Sequence, residues 1–320
     1  MKRIAALFCL ALAASMPAQA AEFPARPLTI IVPAGAGGGG DTTTRMLGRE
    51  LERIFRKPVT IINQGQGGGV VGLNTLMRAR PDGYTVGLLF PYAGYKYVGQ
   101  ADFKAADFTP LGNFNGDSAA LLVNSRSRFQ SLKEALDAIK ADPAAFSVHC
   151  SGACGSVWDV PVAAMMLDYG IDVEKVRWVP GQGAAGGLTE LSAGGVDFQT
   201  ASLPEAAALA SAGHVRPLAV LSPEPVPGFE AVPLAGQALG KPVDGGTWRA
   251  LAGPAGMPDD IARAWEQAIA QAVRSETFLQ AMSRGNFGVR YLDRQALQAL
   301  MTQHEDETER VMRALGYAAR

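Results

Sequence analysis

The sequence predicts an α/β protein of two domains, each a mostly parallel sheet flanked by helices. Three observations carry this. Short β-branched runs alternate with helical apolar stripes along the chain. Several of those runs end in glycine-rich turns that lead into a helix. The 320 residues, 48% hydrophobic and only 18% charged, are enough for more than one core. That low charge argues against a disordered chain, and 37 glycines without a strict period are not collagen-like. Lys+Arg 29 against Asp+Glu 30, with no basic block, argues against a nucleic-acid binder.

The first twenty residues stand outside the fold. Lys2 and Arg3 precede an apolar run over 4–14, and Ala18-Gln19-Ala20 is a small-x-small site. This reads as a secretory signal peptide cleaved after Ala20, so a soluble exported protein is expected. The run is too short to span a bilayer comfortably, and no later stretch is long and apolar enough to do so.

Leu28-Thr29-Ile30-Ile31-Val32 is the first strand. After a glycine turn, Asp41 is expected to cap a helix to about residue 55, with Met46, Leu47, Leu51 and Ile54 as its stripe. A strand over 59–62, a second glycine turn, a helix over 70–80 and a strand over 84–90 follow. The pattern resumes with a helix at 131–141, a strand at 146–149, a helix at 156–169, a strand at 176–179, a helix at 183–193 and a strand at 196–200. A helix near 204–212 and a strand at 217–221 complete it. Two C-terminal helices carry Ile261, Trp265, Ala268, Ile269 and Ala272, then Leu297, Leu300, Met301, Val311 and Met312, stripes that read as core. Segments 113–125 and 222–233 read as crossovers. One domain is therefore built from both chain ends, 21–120 plus 223–320, the other is 121–222, and a ligand cleft lies between them.

The strongest local feature is Pro33-Ala34-Gly35-Ala36-Gly37-Gly38-Gly39-Gly40-Asp41-Thr42, joining a strand to a helix start. Glycines let backbone N–H groups approach a ligand, and a helix N-terminus offers unpaired donors, together an anion site. A dinucleotide reading is weak, because Asn63 rather than an acidic residue ends the second strand. Four further turns share this character: 63–69 with Gly67 and Gly68; 151–156 with Ser151, Gly155 and Ser156; Pro180-Gly181-Gln182-Gly183; and Thr200-Ala201-Ser202. In open α/β sheets ligands bind at strand carboxyl ends, so these loops, with Tyr92 after the third strand, are expected to line the cleft. Lys and Arg are absent from 33–44, 63–70, 150–157 and 180–187. A bound anion would then rely on backbone N–H groups and the hydroxyls of Thr42 and Ser156, with Lys96 the nearest cation.

Cys150 and Cys154 remain once Cys9 is set aside with the signal peptide. In an oxidising compartment they can form a disulfide, or stay as two buried thiols. A metal site from His149, Cys150 and Cys154 lacks a fourth ligand, and no metal or cofactor is expected. A hydrolase using Cys154 and His149 is the enzymatic alternative. It has no identifiable oxyanion donors, and no Gly-x-Ser-x-Gly elbow occurs. His214 and His304 read as surface residues, and Asp259-Asp260 as helix-start acids.

Val32-Pro33-Ala34-Gly35 through Asp41, Asn63 with Gly65, Gly67 and Gly69, and Arg80-Pro81-Asp82-Gly83-Tyr84-Thr85 together resemble a known family. Val179-Pro180 with Gly183-Ala184-Ala185, and Trp248 with Pro254-Ala255-Gly256-Met257-Pro258, fit in the same order. The family is the Bug (TctC-like) group of periplasmic substrate-binding proteins of tripartite tricarboxylate transporters. The resemblance implies a two-lobed Venus-flytrap fold without enzymatic activity, a small carboxylate ligand, and delivery to membrane permease subunits. A monomer is expected. A binding protein that feeds a signalling receptor has the same sequence signature. The chain departs from the family at Ala34, at Gly181-Gln182, and at Asp159, where the family often has an aromatic residue, Tyr-Arg and His.

Overall fold

The computed structural model describes residues 23–150, 154–181 and 184–317. The expected signal peptide and cleavage site, and Ser151, Gln182 and Gly183 among the expected site residues, lie outside them.

Strand β1 (Leu28–Val32) pairs in parallel with β2 (Val59–Asn63) and β3 (Thr85–Leu89). Between them run α1 (Gly39–Phe55) and α2 (Val70–Met77). Leu47 and Leu51 bury the α1 stripe, and Arg56 in the left-handed region, one residue before Lys57-Pro58, ends the helix. Gly38, not Asp41, stands at the N-cap position; Asp41 lies in the first turn and reaches back to the Gly37 amide. A one-turn helix α3 (Gly94–Tyr97) follows β3.

The longest strand, β4 (Phe108–Asn124), falls largely where the sequence reads as a crossover. Its first part pairs antiparallel with β9 (Gly246–Pro254), which itself pairs antiparallel with β3. Beyond Ser118 the same strand enters the second half, pairing antiparallel with β7 (Phe198–Ser202) and β8 (Val215–Val220). There β5 (Ser147–His149) pairs in parallel with β6 (Arg177–Val179) and β7. The parallel pairs thus lie away from β4 and β9, and the antiparallel ones where those two strands run.

Helices α4 (Leu132–Ala141), α5 (Asp159–Asp168), α6 (Ala184–Ala193), α7 (Leu203–Ser211) and α8 (Ala235–Leu239) flank this second half. In α4, Leu132, Ala135, Leu136 and Ile139 are buried at helical spacing, and the Ser131 hydroxyl accepts from the Glu134 amide. The boundary expected at 222–223 does not coincide with the packing: Val226, Phe229, Leu234 and Ala235 all pack on clusters of the second half.

Three helices close the chain, α9 (Asp259–Ala272), α10 (Glu276–Arg284) and α11 (Arg294–Ala314). The first half centres on Leu28, Ile30, Val32, Leu88 and the α9 stripe around Trp265. Leu297 and Met301 at the start of α11 pack on that half, beside Leu73 and Trp248. Val311 and Met312 near its end pack on Val160, Ala163 and Ala164 of α5. Where the halves join, three backbone bonds form a ring: Ala119 N to Gly245 O, Gly245 N to Leu221 O, and Leu221 N to Ala119 O. Among the described residues no helix is long and apolar enough to cross a membrane.

Candidate ligand cleft

A cavity of about 810 Å³ opens where the strand ends of the two halves face each other. Phe90, Tyr92 and Tyr95 bring the loop after β3 to it, Gly155 and Ser156 the loop before α5, and Leu203 the start of α7. Asp117, Ser118, Thr247 and Trp248 form its floor on the two strands that join the halves. The halves touch at one flank, where Gly94 of α3 lies against the Gly155 carbonyl with no room for a Cβ.

Of the expected site residues, Gly68, Tyr92, Gly155 and Ser156 line this cavity. Ala34, Gly35, Ala36, Gly37, Gly38, Gly39, Gly40, Asp41, Thr42, Gly67, Gly181 and Ser202 do not. Ser202 caps α7, exchanging bonds with Glu205. Thr42 donates to Gly37 O, and Gly181 packs on the buried His149 ring.

Much of the expected anion cradle is occupied by the chain's own carboxylates. Asp41, 3% exposed, accepts from Gly37 N at 2.8 Å and Asn63 Nδ2 at 2.9 Å, and pairs with Arg45 at 2.8 Å. Burial raises its pKa, but Arg45, Gly37 and Asn63 outweigh it and hold the carboxyl below its ordinary range. In the other half Asp159 accepts from the Gly155 amide and from both the amide and hydroxyl of Ser156. Burial nonetheless pushes this carboxyl up. The Ser156 hydroxyl, expected to face a ligand, therefore donates inward.

A cation that sequence reasoning missed comes from β9. A Cβ on Gly39, at the start of α1, would stand 2.9 Å from Nη2 of Arg249. Nη1 of the same guanidinium bonds Asn115 Oδ1 and Asp117 Oδ2, the latter at 2.6 Å, in a pair 12% and 8% exposed. Asp117 also accepts from Gly288 N at 2.9 Å. Arg249 is remote in sequence from the glycine turns expected to form the site, so only the pairing of β9 between β3 and β4 could reveal it. Lys96 instead faces Asp102 and the Tyr97 ring.

His304, expected at the surface, packs edge-on to Tyr92 and Trp248 at 5.8 and 5.9 Å. Its Nε2 accepts from Ala93 N at 3.3 Å, which leaves the proton on Nδ1, 3.3 Å from Thr308 Oγ1. Burial pushes its pKa down from 6.5 to about 4. Between those values the unfolded chain binds a proton that the fold excludes, so stability from this group rises with pH across that window and is lost in acid. Urea midpoints at pH 4.5 and 7 are expected to differ less in His304→Gln than in the parent; an unchanged difference would refute this. Tyr92, beside it, donates to Glu305 at 2.9 Å, and burial raises its phenol.

Cys150 and Cys154 form a disulfide, with Cα atoms 5.3 Å apart. Cys154 in this state offers no thiolate, which removes the nucleophile from the Cys154/His149 hydrolase alternative. His149 is 3% exposed, with Nε2 3.7 Å from Glu190. Among the described residues no group of three or more His, Cys, Asp or Glu could hold a metal ion.

The fold recurs in known proteins. The chain is 30% identical to a UPF0065 protein of Bordetella pertussis over 88% of this chain and 86% of that protein. A TctC solute binding protein from Polaromonas superimposes with a TM-score of 0.79 at 29% identity, covering 91% of this chain and 99% of that one. Two R. palustris structures share the fold: MatC with bound malate (TM-score 0.71, 23% identity, 91% and 100% covered) and a second protein with adipate (0.76, 22%, 93% and 99%). Residues 43–317 match the family described as tripartite tricarboxylate transporter family receptor. A match of that extent, on a two-lobed α/β fold with a strand-end cleft, means that the chain belongs to this receptor family.

Proposed function

We propose that the protein is a periplasmic receptor that captures a small carboxylate between two lobes and delivers it to the membrane subunits of a tripartite transporter, without turnover. The observation that carries this reading is the large cleft at the strand ends of both halves, in a chain of the receptor family. The malate and adipate held by two proteins of the same fold support a carboxylate as the ligand class. One lobe comprises 23–118 with 246 onward, and the other 119–245, because the apolar side chains of 226–239 pack with the latter. Expected site residues nearest the cleft are Gly68, Tyr92, Gly155 and Ser156, with the loop 33–42 and Arg249 behind them.

Ligand binding should close the lobes about the ring at Ala119, Leu221 and Gly245. Calorimetry against malate, citrate, phenylacetate and octanoate is expected to give saturable binding for at least one, with the titrant recovered unchanged. X-ray scattering at saturation should show a smaller radius of gyration. No binding by any of the four at millimolar concentration, or chemical conversion of one, would overturn the reading.

A further inference from the structure

We infer that this cleft selects an organic acid carrying one carboxylate on an apolar ring or chain, anchored by the indole N–H of Trp248, and rejects compact polyanions. The inference rests on the carboxylate-receptor reading above and narrows it.

The first ground is charge. Among the described residues the only Lys and Arg on the cavity wall are Lys241 and Arg290. Arg290 faces Asp244 at 3.5 Å, and Lys241 donates one bond to the backbone carbonyl Asp168 O at 3.1 Å. Five carboxylates share the wall, Asp117, Asp168, Glu224, Asp244 and Glu307. Arg249 is committed to Asp117, and Arg310 to Asp168 and Glu307. Counted with these partners, four cations (Lys241, Arg249, Arg290 and Arg310) stand against the five wall carboxylates, so a ligand with two or three carboxylates meets no excess positive charge, and that lack weighs most in a partly desolvated cleft. The cradle amides of Gly37, Gly155 and Ser156, which could otherwise compensate, already serve Asp41 and Asp159.

The second ground is the wall itself. Phe90, Tyr92, Tyr95 and Trp248 face Val157, Val160 and the proline-rich turn 223–227 across a volume of about 810 Å³. That is toward the upper end of the roughly 300–1,000 Å³ of pockets that enclose ligands with substantial apolar bodies.

The third ground is one unmatched donor. The indole of Trp248 is 4% exposed and lines the cavity, yet its Nε1 is buried without a partner. The corresponding groups of Trp178 and Trp265 donate to Val173 O at 2.9 Å and Gly83 O at 3.0 Å. Buried indole N–H groups ordinarily find an acceptor, and a carboxylate oxygen is a strong one. A single donor of this kind beside aromatic faces suits one carboxylate on an apolar body.

Calorimetry of the mature protein tests this. Phenylacetate or octanoate is expected to bind at least tenfold more tightly than either malate or citrate. Trp248→Phe, which keeps an aromatic ring and removes the N–H, is expected to weaken the preferred monocarboxylate about tenfold while circular dichroism stays that of the parent. Equal affinities, a preference for malate or citrate, or an unaltered affinity in Trp248→Phe overturns the inference and leaves the carboxylate receptor standing. Failure of all four acids to bind removes both. Should Trp248→Phe not fold, the ranking of the four acids on the parent protein decides alone.

Discussion

Arg249→Met is expected to destabilise the protein by about 3–5 kcal/mol, the usual cost of leaving a buried carboxylate without its partner. Asp117 is 8% exposed and would keep only the amides of Gly288 and Asn115. Removing the guanidinium also deprives Asn115 Oδ1 of its donor. The damage falls where β4 passes from one lobe to the other, so neither lobe can relax independently around it. The urea midpoint should fall with the slope unchanged. Adding Asp117→Asn to Arg249→Met should recover a large part of the loss, because the penalty comes from the uncompensated charge more than from the missing attraction. A midpoint for Arg249→Met equal to the parent's would show that the pair contributes nothing.

Gly246→Ala is expected to cost about 3 kcal/mol or more. Gly246 has φ +155°, and a Cβ there would lie 2.8 Å from Ala119 N and from Ser118 Cα, and closer still to Asp117 O. All three are backbone atoms of β4, which cannot rotate aside as a side chain can. Backbone strain and the forced separation of β9 from β4 therefore act together. Gly213→Ala is the control: its φ is +73° and nothing lies within 4 Å of the new Cβ, so only the local strain of roughly 1–2 kcal/mol remains. Equal midpoints for the two variants would refute the account.

The elements with a clean period were legible in the sequence. The runs at 28–32, 59–63 and 85–89 and the stripe through Leu47 and Leu51 carry their burial pattern openly. β4 was not legible, and the reason is physical. Pro110, Gly112 and Gly116 interrupt it, its register shifts twice against β9, and Asn113 and Asn115 are fully buried. Their Nδ2 groups donate to carbonyls of Arg290 and Gly288, far along the chain, so a polar residue that reads as loop is inside the protein. The glycine turns were legible as strand-end loops. What could not be read was that Asp41 and Asp159 would bend back and take their donors, because a carboxylate three or four residues beyond a glycine pair is equally an ordinary helix-start residue. Arg249 and Trp248 entered the cleft region through antiparallel pairing over more than a hundred residues, a link with no local trace.

Helix α11 spans about 32 Å from its start on one lobe to its end against α5 of the other. The two neighbouring strands at the junction define an axis, as the pins of a door hinge do. A stiff rod fastened to both leaves away from that axis works as a stay: it fixes how wide the door can swing. The aperture of this receptor is then expected to depend on the grip of Val311 and Met312 on Ala163, none of which lies on the cavity wall. Changes at that contact would retune how far the cleft gapes, and so how large a guest it admits, while the wall itself stays the same.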